Sequence, residues 1–296
     1  MSSKKLRGDS QVSPRHLFQF RRQGSPGIAF PLSAVAVFLG LSALYIPLLP
    51  SQLTWANFGG DGGDFLAAIL TRGVAHPGGY PTYLLLGEVF QFIPLGAAPW
   101  RGALLSAISS AFAGGLLSLW VWRFVSPQDL SGQAASLITG LAWGSAPLVW
   151  SQAVIVEVHG LHALMAVIWL WWVTLLHEGY DSIGGLSLLS WTAGLSLGNH
   201  LTILVFIPVL IAAILPRIIK DLRGRRNLKF WFVQGLAFLL GVSVYFLLPL
   251  RAQAYPPINW GNPQSWEGFW WVVSGQPYQG LVFHISWEGM LGRISA

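Results

Sequence analysis

Long uncharged stretches divide the chain into segments of membrane-spanning length. A helix needs about 20 mostly apolar residues to cross the hydrocarbon core of a bilayer. Asp, Glu, Lys and Arg are absent from 28–50, 102–122, 130–156, 158–176, 182–216 and 230–250. The stretch 182–216 is long enough to form a hairpin that turns at Asn199 and His200. The pattern predicts seven spanning helices, at 29–49, 102–123, 132–150, 159–177, 183–199, 201–217 and 230–250.

The apolar stretch 80–96 is too short to be an eighth span. Two prolines bracket about 12 of its residues, which make roughly 18 Å of helix. Glu88 lies in the middle of this stretch, and a carboxylate is costly inside a bilayer. We therefore predict a juxtamembrane or re-entrant helix within one long external loop, 50–101.

The distribution of basic residues predicts the orientation. Cytoplasmic segments of membrane proteins are enriched in Lys and Arg. With 80–96 kept outside, the cytoplasmic side holds six basic residues before the first span, Arg123, and six between 217 and 229, which leaves four outside. If 80–96 spanned, the split would be nine to eight. The sequence thus predicts a multi-pass protein of the cell membrane, with a cytoplasmic basic tail at 1–27 and a basic loop at 217–229 that contacts anionic lipid headgroups.

Composition supports an all-α integral membrane protein and excludes other classes. Only 9% of the 296 residues are charged, against roughly 25% in a typical soluble domain, and the mean hydropathy is +0.56. A soluble enzyme, a disordered chain and a nucleic-acid-binding domain are excluded despite the net charge of +6. The absence of cysteine excludes a disulfide framework, thiol catalysis and thiolate zinc sites. The 16 tryptophans suit two membrane–water interfaces.

The start of loop 50–101 holds the first candidate residues for chemistry. Asp61 and Asp64 stand among four glycines, ahead of an apolar run that predicts a short interfacial helix. Residues three apart share a face if the helix begins early. Asp61 is also compatible with a plain N-cap role. Two acids beside a membrane favour a functional site, because ionisable groups are costly there.

Further polar candidates fall on the same predicted outer face. The segment His76-Pro77-Gly78-Gly79-Tyr80-Pro81 breaks the chain between two short helices, and a plain Pro/Gly turn explains it equally well. Glu157 is the single acid between 130 and 177 and is followed closely by His159. It either faces a polar cavity at the lip of a span or is a rim carboxylate in water.

The second hairpin and the end of the last span add more candidates. The hairpin 183–216 is shorter than two full crossings, so Asn199 and His200 should lie below the outer surface and line a water-filled cavity. Arg251 can grip a phosphate through its forked guanidinium or extend to lipid headgroups. The external segment 251–296 is too aromatic for a free linker. We predict that it folds back on the membrane or over the cavity.

Five of these segments together resemble the GT-C-type membrane glycosyltransferases, a family typified by the vertebrate transmembrane protein O-mannosyltransferase and its bacterial relatives. The matching segments are Asp61-Gly62-Gly63-Asp64-Phe65, His76 to Pro81, Ser151-Gln152-Ala153 with Glu157, Gly198 to Thr202, and Leu248 to Arg251 continuing through Asn259-Trp260-Gly261. They cover about residues 30–280. The resemblance implies a GT-C-like domain of about seven transmembrane helices over 28–250, with juxtamembrane helices in loop 50–101.

The resemblance also implies an activity. It would be an inverting transfer of mannose or another hexose from a polyprenyl-phosphate carrier to a protein or glycan hydroxyl at the outer face. Asp61 matches the family's first-loop acid and would be the catalytic base, while Asp64 or Glu157 would orient the acceptor or stabilise oxocarbenium-like charge. The residues expected to bind substrate are His76, Tyr80, His159, Asn199, His200, Arg251, Asn259 and Trp260.

Two other functions and one cofactor stay open at this point. The chain could be a non-catalytic GT-C-like subunit that works with a membrane protein partner. A transporter is disfavoured because no charged residue lies inside a predicted span and the two halves show no repeat. Asp61, Asp64 and Glu157 could hold a hard divalent cation, although no tight ligand cluster requires one.

Overall fold

The computed structural model describes residues 32–125, 130–180, 182–224, 228–283 and 286–294. The predicted tail at 1–27 lies outside the described residues, as do Arg225 and Arg226 of the basic loop. Within the described ranges the chain is helical, with one isolated β-bridge and no extended sheet.

The helices follow one another with short connections. In chain order they are α1 (Leu32–Tyr45), α2 (Gly62–Thr71), α3 (Pro81–Gln91), α4 (Ala98–Phe124), α5 (Leu130–Ser145), α6 (Pro147–Ala153), α7 (His159–His177), α8 (Ile183–Leu197), α9 (Ile207–Arg223), α10 (Leu228–Val242), α11 (Leu247–Ala252), α12 (Trp266–Val273), α13 (Gln276–Phe283) and α14 (Trp287–Ile294). Short 3₁₀ turns occupy Ile46–Leu48, Ala56–Phe58, Leu201–Phe206 and Ser243–Phe246.

The predicted all-α membrane fold is confirmed. Among the described residues, four helical stretches are long and apolar enough to cross a membrane: Ala98–Phe124, His159–His177, Leu201–Arg223 and Leu228–Ala252. The stretches Leu32–Leu48 and Ile183–Leu197 are apolar but shorter. The count of seven spans therefore stays a prediction.

The predicted span 132–150 is not one continuous helix. α5 ends at Ser145 and α6 begins at Pro147, because Ala146 takes an extended conformation with ψ at 135°. The residue before a proline is pushed away from the helical region by the proline ring. The break separates α6 from α5 just before the chain reaches Glu157.

The bundle is built around α4, which packs against α1, α5 and α7. Small residues allow these helices to approach closely, as is common within membranes. A Cβ atom added to Gly114 would lie 2.5 Å from Leu41 of α1. Between α4 and α5, the Ser118 and Ser136 hydroxyls lie 2.8 Å apart in a buried hydrogen bond. Close backbone contact and a buried hydroxyl pair thus hold α4 against its neighbours.

The segment after α11 folds back and contacts loop 50–101. Val74 and Asn259 form a parallel β-bridge. In it, the Val74 N–H donates to the carbonyl of Ile258 at 2.9 Å. Farther along, the Gly78 N–H donates to the carbonyl of Val272 in α12 at 2.7 Å. Residues nearly 200 positions apart therefore share one surface.

Candidate active site

Asp64 is the most heavily bonded carboxylate of this surface. Its Oδ2 atom accepts the backbone N–H of His76 at 2.9 Å and lies 2.8 Å from the ring Nδ1 of the same residue. Its Oδ1 atom accepts the indole N–H of Trp260 at 2.8 Å. Burial alone would raise the pKa of Asp64, but the hydrogen bonds from His76 and Trp260 outweigh burial and lower it. An ionised carboxylate can only accept, so the proton of this contact belongs to Nδ1 of His76.

Asp61 is the free carboxylate beside Asp64. It occupies the N-cap position of α2, yet its side chain makes no capping hydrogen bond. The side chain is 63% exposed, and its Oδ2 atom lies 3.8 Å from Nε2 of His76. The plain N-cap role is therefore wrong for this side chain, which faces the imidazole and open space.

His76 joins the two acids, and its ring is buried. The ring centroid lies 5.0 Å from that of Phe65 and 4.9 Å from that of Tyr80. The turn that follows needs left-handed backbone at Gly78, with φ at 113°, and at Gly79, with φ at 66°, which glycine adopts at little cost. This turn brings Tyr80 back against His76. The histidine is thus part of a packed cluster and not an incidental turn residue. We call Asp61, Asp64 and His76 the acid–histidine cluster.

Glu157 lies between α6 and α7 and is buried, with its side chain 5% exposed. Its Oε2 atom accepts the backbone N–H of Val158 at 3.2 Å and lies 4.0 Å from Nε2 of His159. Burial, and then the negative charge of Asp61, raise the pKa of Glu157 to about 7. The alternative of a rim carboxylate in water is therefore wrong.

The turn between α8 and the 3₁₀ segment Leu201–Phe206 lies beside Glu157. The ring of His200 has its centroid 5.7 Å from that of His159 and 6.0 Å from that of Tyr80. Its Nδ1 atom accepts the backbone N–H of Thr202 at 3.2 Å, which leaves Nε2 as the protonated nitrogen of the neutral ring. The Asn199 side chain is fully buried. The predicted turn is thus connected to Glu157 through the ring of His159, and to His76 through the ring of Tyr80.

Arg251 is engaged by protein groups. Its Nη2 atom lies 2.6 Å from Oε1 of Glu88 in α3, and its Nη1 atom donates to the carbonyl of Gly73 at 3.3 Å. Its side chain is 9% exposed. Arg251 therefore connects α11 to α3 through the ion pair with Glu88, and to the segment before His76 through the hydrogen bond to Gly73.

The structure brings the predicted residues into one continuous set of contacts. Asn259 enters through the bridge to Val74, and Trp260 through its bond to Asp64. Two participants were missing from the predicted site. The sequence offered a clue to Glu88, because an acid within an apolar segment needs a partner. The sequence offered no clue to Tyr278. Its ring lies 6.5 Å from that of His76 only because the C-terminal segment folds back.

A divalent cation finds no ready ligand set in this cluster. Asp64 already accepts three hydrogen bonds, and within the described part of the chain no group of three or more His, Asp or Glu side chains is gathered to hold a metal ion. Ca²⁺ takes six to eight oxygen ligands, whereas Mg²⁺ is usually held by one or two carboxylates together with substrate phosphates and water.

Glu157→Gln is expected to stabilise the protein increasingly as the pH rises. In wild type, the unfolded carboxyl loses its proton near its ordinary value of 4.5, whereas the folded one keeps it until about 7. Stability is therefore lost between these two values and stays lost above them. The neutral amide avoids this loss. Melting temperatures in detergent at pH 4.5, 6 and 8 measure the effect. The exposed Glu267→Gln should show no such trend, and a Glu157→Gln difference that is the same at every pH would contradict the burial argument.

Comparison with known proteins identifies relatives of this chain. Residues 61–222, more than half of the chain, match the family described as Protein O-mannosyl-transferase TMEM260 N-terminal domain. The mouse protein O-mannosyl-transferase TMEM260 is 30% identical over 243 residues, which are 80% of this chain and 33% of the mouse protein. The Dictyostelium discoideum protein O-mannosyl-transferase tmem260 is 26% identical over 71% of this chain and 27% of its own length.

The chain thus spans about a third of the length of the curated relatives it matches. No solved structure matches the chain significantly. The family match begins at Asp61 and includes Asp64, His76 and Glu157. On this evidence, the chain belongs to the family of the protein O-mannosyl-transferase TMEM260 N-terminal domain.

Proposed function

We propose that this chain carries the sugar-transfer site of a GT-C-type membrane glycosyltransferase. It would move mannose or another hexose from a polyprenyl-phosphate carrier to a protein hydroxyl, with inversion at the anomeric carbon. One observation supports this above the others: an exposed carboxylate, Asp61, stands beside a histidine that a second, fully bonded carboxylate holds in place. The relatives that it matches are named as protein O-mannosyl-transferases.

The two aspartates would divide the work between them. Asp61 is accessible and makes no hydrogen bond that transfer would have to break, so it is the better base for an acceptor hydroxyl. Both carboxylate oxygens of Asp64 accept hydrogen bonds, three in all, so Asp64 would hold His76 and Trp260 in position. Glu157, with its pKa near 7, would hydrogen-bond a sugar or acceptor hydroxyl in its protonated form.

The donor would be held by groups around this cluster. The exposed rings of Trp260 and Tyr278 offer faces for a sugar. His200 presents a protonated Nε2 that can donate to a phosphate oxygen as charge develops there. Arg251 is paired with Glu88, so a lipid phosphate would have to compete with that carboxylate for the guanidinium. We therefore propose that Arg251 contributes mainly by positioning the segment before His76.

The outer face of the cell membrane is the proposed place of the reaction. The split of thirteen basic residues to four supports this orientation. In the same orientation, α2, α3 and the segment after α11 all lie outside, where a secreted or membrane protein would present its hydroxyl groups. A membrane protein partner could deliver that acceptor.

A comparison of donor classes tests this function. Purified protein in liposomes is given a peptide rich in Ser and Thr, together with either polyprenyl-phosphate mannose or a nucleotide-linked mannose. We expect mannose on the peptide with the lipid-linked donor alone, because the phosphate must enter from the bilayer. Transfer with the nucleotide sugar alone would contradict the donor class. No transfer with either donor, with any membrane partner tested, would favour a non-catalytic subunit.

A further inference from the structure

The imidazole of His76 lies between two carboxylates that differ in their bonding. Nδ1 is 2.8 Å from Oδ2 of Asp64, and Nε2 is 3.8 Å from Oδ2 of Asp61. Asp64 can only accept, so Nδ1 carries the hydrogen in this contact. In the neutral ring the lone pair is therefore on Nε2, which faces Asp61.

Several independent contacts keep the ring in this orientation. The backbone N–H of His76 is bonded to the same Asp64 oxygen, at 2.9 Å, and Trp260 secures the other oxygen. The rings of Phe65 and Tyr80 pack against the imidazole. A ring that served packing alone would have no need for a free nitrogen aimed at an exposed acid.

We propose that His76 is a positioning residue of the transfer reaction that receives, on Nε2, the proton that Asp61 takes from the acceptor hydroxyl. This inference rests on the proposed function. The arrangement follows the logic of an acid–histidine pair, in which the carboxylate fixes the tautomer and stabilises the imidazolium that forms. Here Asp64 would have that role, and Asp61 would carry the proton between substrate and ring.

The bonds and charges of this step balance. The acceptor oxygen forms a bond to the anomeric carbon while the bond from that carbon to the phosphate oxygen breaks. The electron pair of the broken bond stays on the phosphate, which leaves as a monoester dianion. The hydroxyl proton passes to Asp61 and then to Nε2. The resulting imidazolium lies between the two carboxylates, and it returns the proton to water after the products leave.

Two substitutions of His76 separate this role from simple packing. In His76→Asn the side-chain amide nitrogen occupies nearly the place of Nδ1, so the bond to Asp64 is kept while Nε2 is lost. In His76→Ala the whole ring is lost, and added imidazole can enter the space beside the exposed Asp61. His177→Asn, at the exposed end of α7, is the matched control. The measurements are kcat and KM for transfer from polyprenyl-phosphate mannose, with melting temperature and donor binding for each variant.

We expect His76→Asn to lower kcat by up to about 10²-fold, the lower end of the usual contribution of a general acid–base group, because His76 takes the proton only after Asp61. KM and donor binding should stay close to wild type, and the melting temperature should fall less than in His76→Ala, because part of the buried side chain is kept. Added imidazole should restore much of the activity of His76→Ala, and His177→Asn should match wild type. A wild-type kcat in His76→Asn would overturn the proposal. So would a loss in both variants that appears as a raised KM or a lowered melting temperature without imidazole rescue. A wild-type protein that transfers no sugar would contradict the proposed function itself, and the inference with it.

Discussion

Asp61→Asn is expected to lower sugar transfer by about 10²-fold or more, because an amide of the same size cannot take the proton of the attacking hydroxyl. Folding and donor binding should stay close to wild type. The side chain makes no capping hydrogen bond and is 63% exposed, so the fold does not depend on its charge. The measurement is the rate of mannose transfer to peptide under saturating donor, alongside donor binding and the melting temperature.

Glu267→Gln is the matched control for Asp61→Asn. Glu267 is an exposed acid in the first turn of α12, in the segment that folds back over loop 50–101, and the same charge is removed there without touching the cluster. Its transfer rate should equal that of wild type. If Asp61→Asn turned over at the wild-type rate, Asp61 would not be the base, and Glu157 would become the next carboxylate to test.

Asp64→Asn is expected to damage both transfer and stability. Three donors converge on this carboxylate, and an amide must turn its NH₂ group towards at least one of them. An unpaired donor of the buried His76 costs about 1–3 kcal/mol, and an unpaired indole of the more exposed Trp260 costs less. The amide can also reverse the tautomer of His76, which would turn its lone pair away from Asp61. We therefore expect transfer to fall by at least about 10²-fold, as for other lost acid–base groups.

The two aspartate substitutions should differ in their effect on stability. Asp61→Asn should lower the rate at an unchanged melting temperature, whereas Asp64→Asn should lower both. Thermal unfolding in detergent and transfer assays on the same preparations measure the pair. Equal melting temperatures for Asp64→Asn and wild type would contradict the bonding described for Asp64.

The local elements of this protein could be predicted from its sequence. Two prolines around a short apolar run located the helix that begins at Pro81, and the shortness of the hairpin 183–216 located the turn at Asn199 and His200. Pro147 also marked the break at Ala146. The long uncharged stretch around it nevertheless led to the prediction of one continuous span. Local chemistry fixes such features within a few residues.

The pairings that assemble the site could not be predicted in this way. Trp260 bonds Asp64 across 196 positions of sequence, and Arg251 pairs with Glu88 across the loop and the bundle. Each partner had a plausible local role, such as an interfacial indole or an arginine at a lipid headgroup. Which partner is chosen depends on how α11 and the C-terminal segment return to loop 50–101. That information lies in the packing of the whole bundle and not in any one motif.

The anomeric configuration of the product shows whether the sugar is transferred in a single displacement with Asp61 as base. A single displacement, with Asp61 as base, breaks the bond to phosphate as the acceptor attacks from the opposite side. Nuclear magnetic resonance of the mannosylated peptide, formed by the wild-type protein from a polyprenyl-phosphate mannose of known configuration, reads the outcome. We expect the opposite configuration to that of the donor. A product with the donor's own configuration would contradict this mechanism, because retention needs either two displacements through a covalent sugar–enzyme intermediate or attack from the same face as the leaving phosphate.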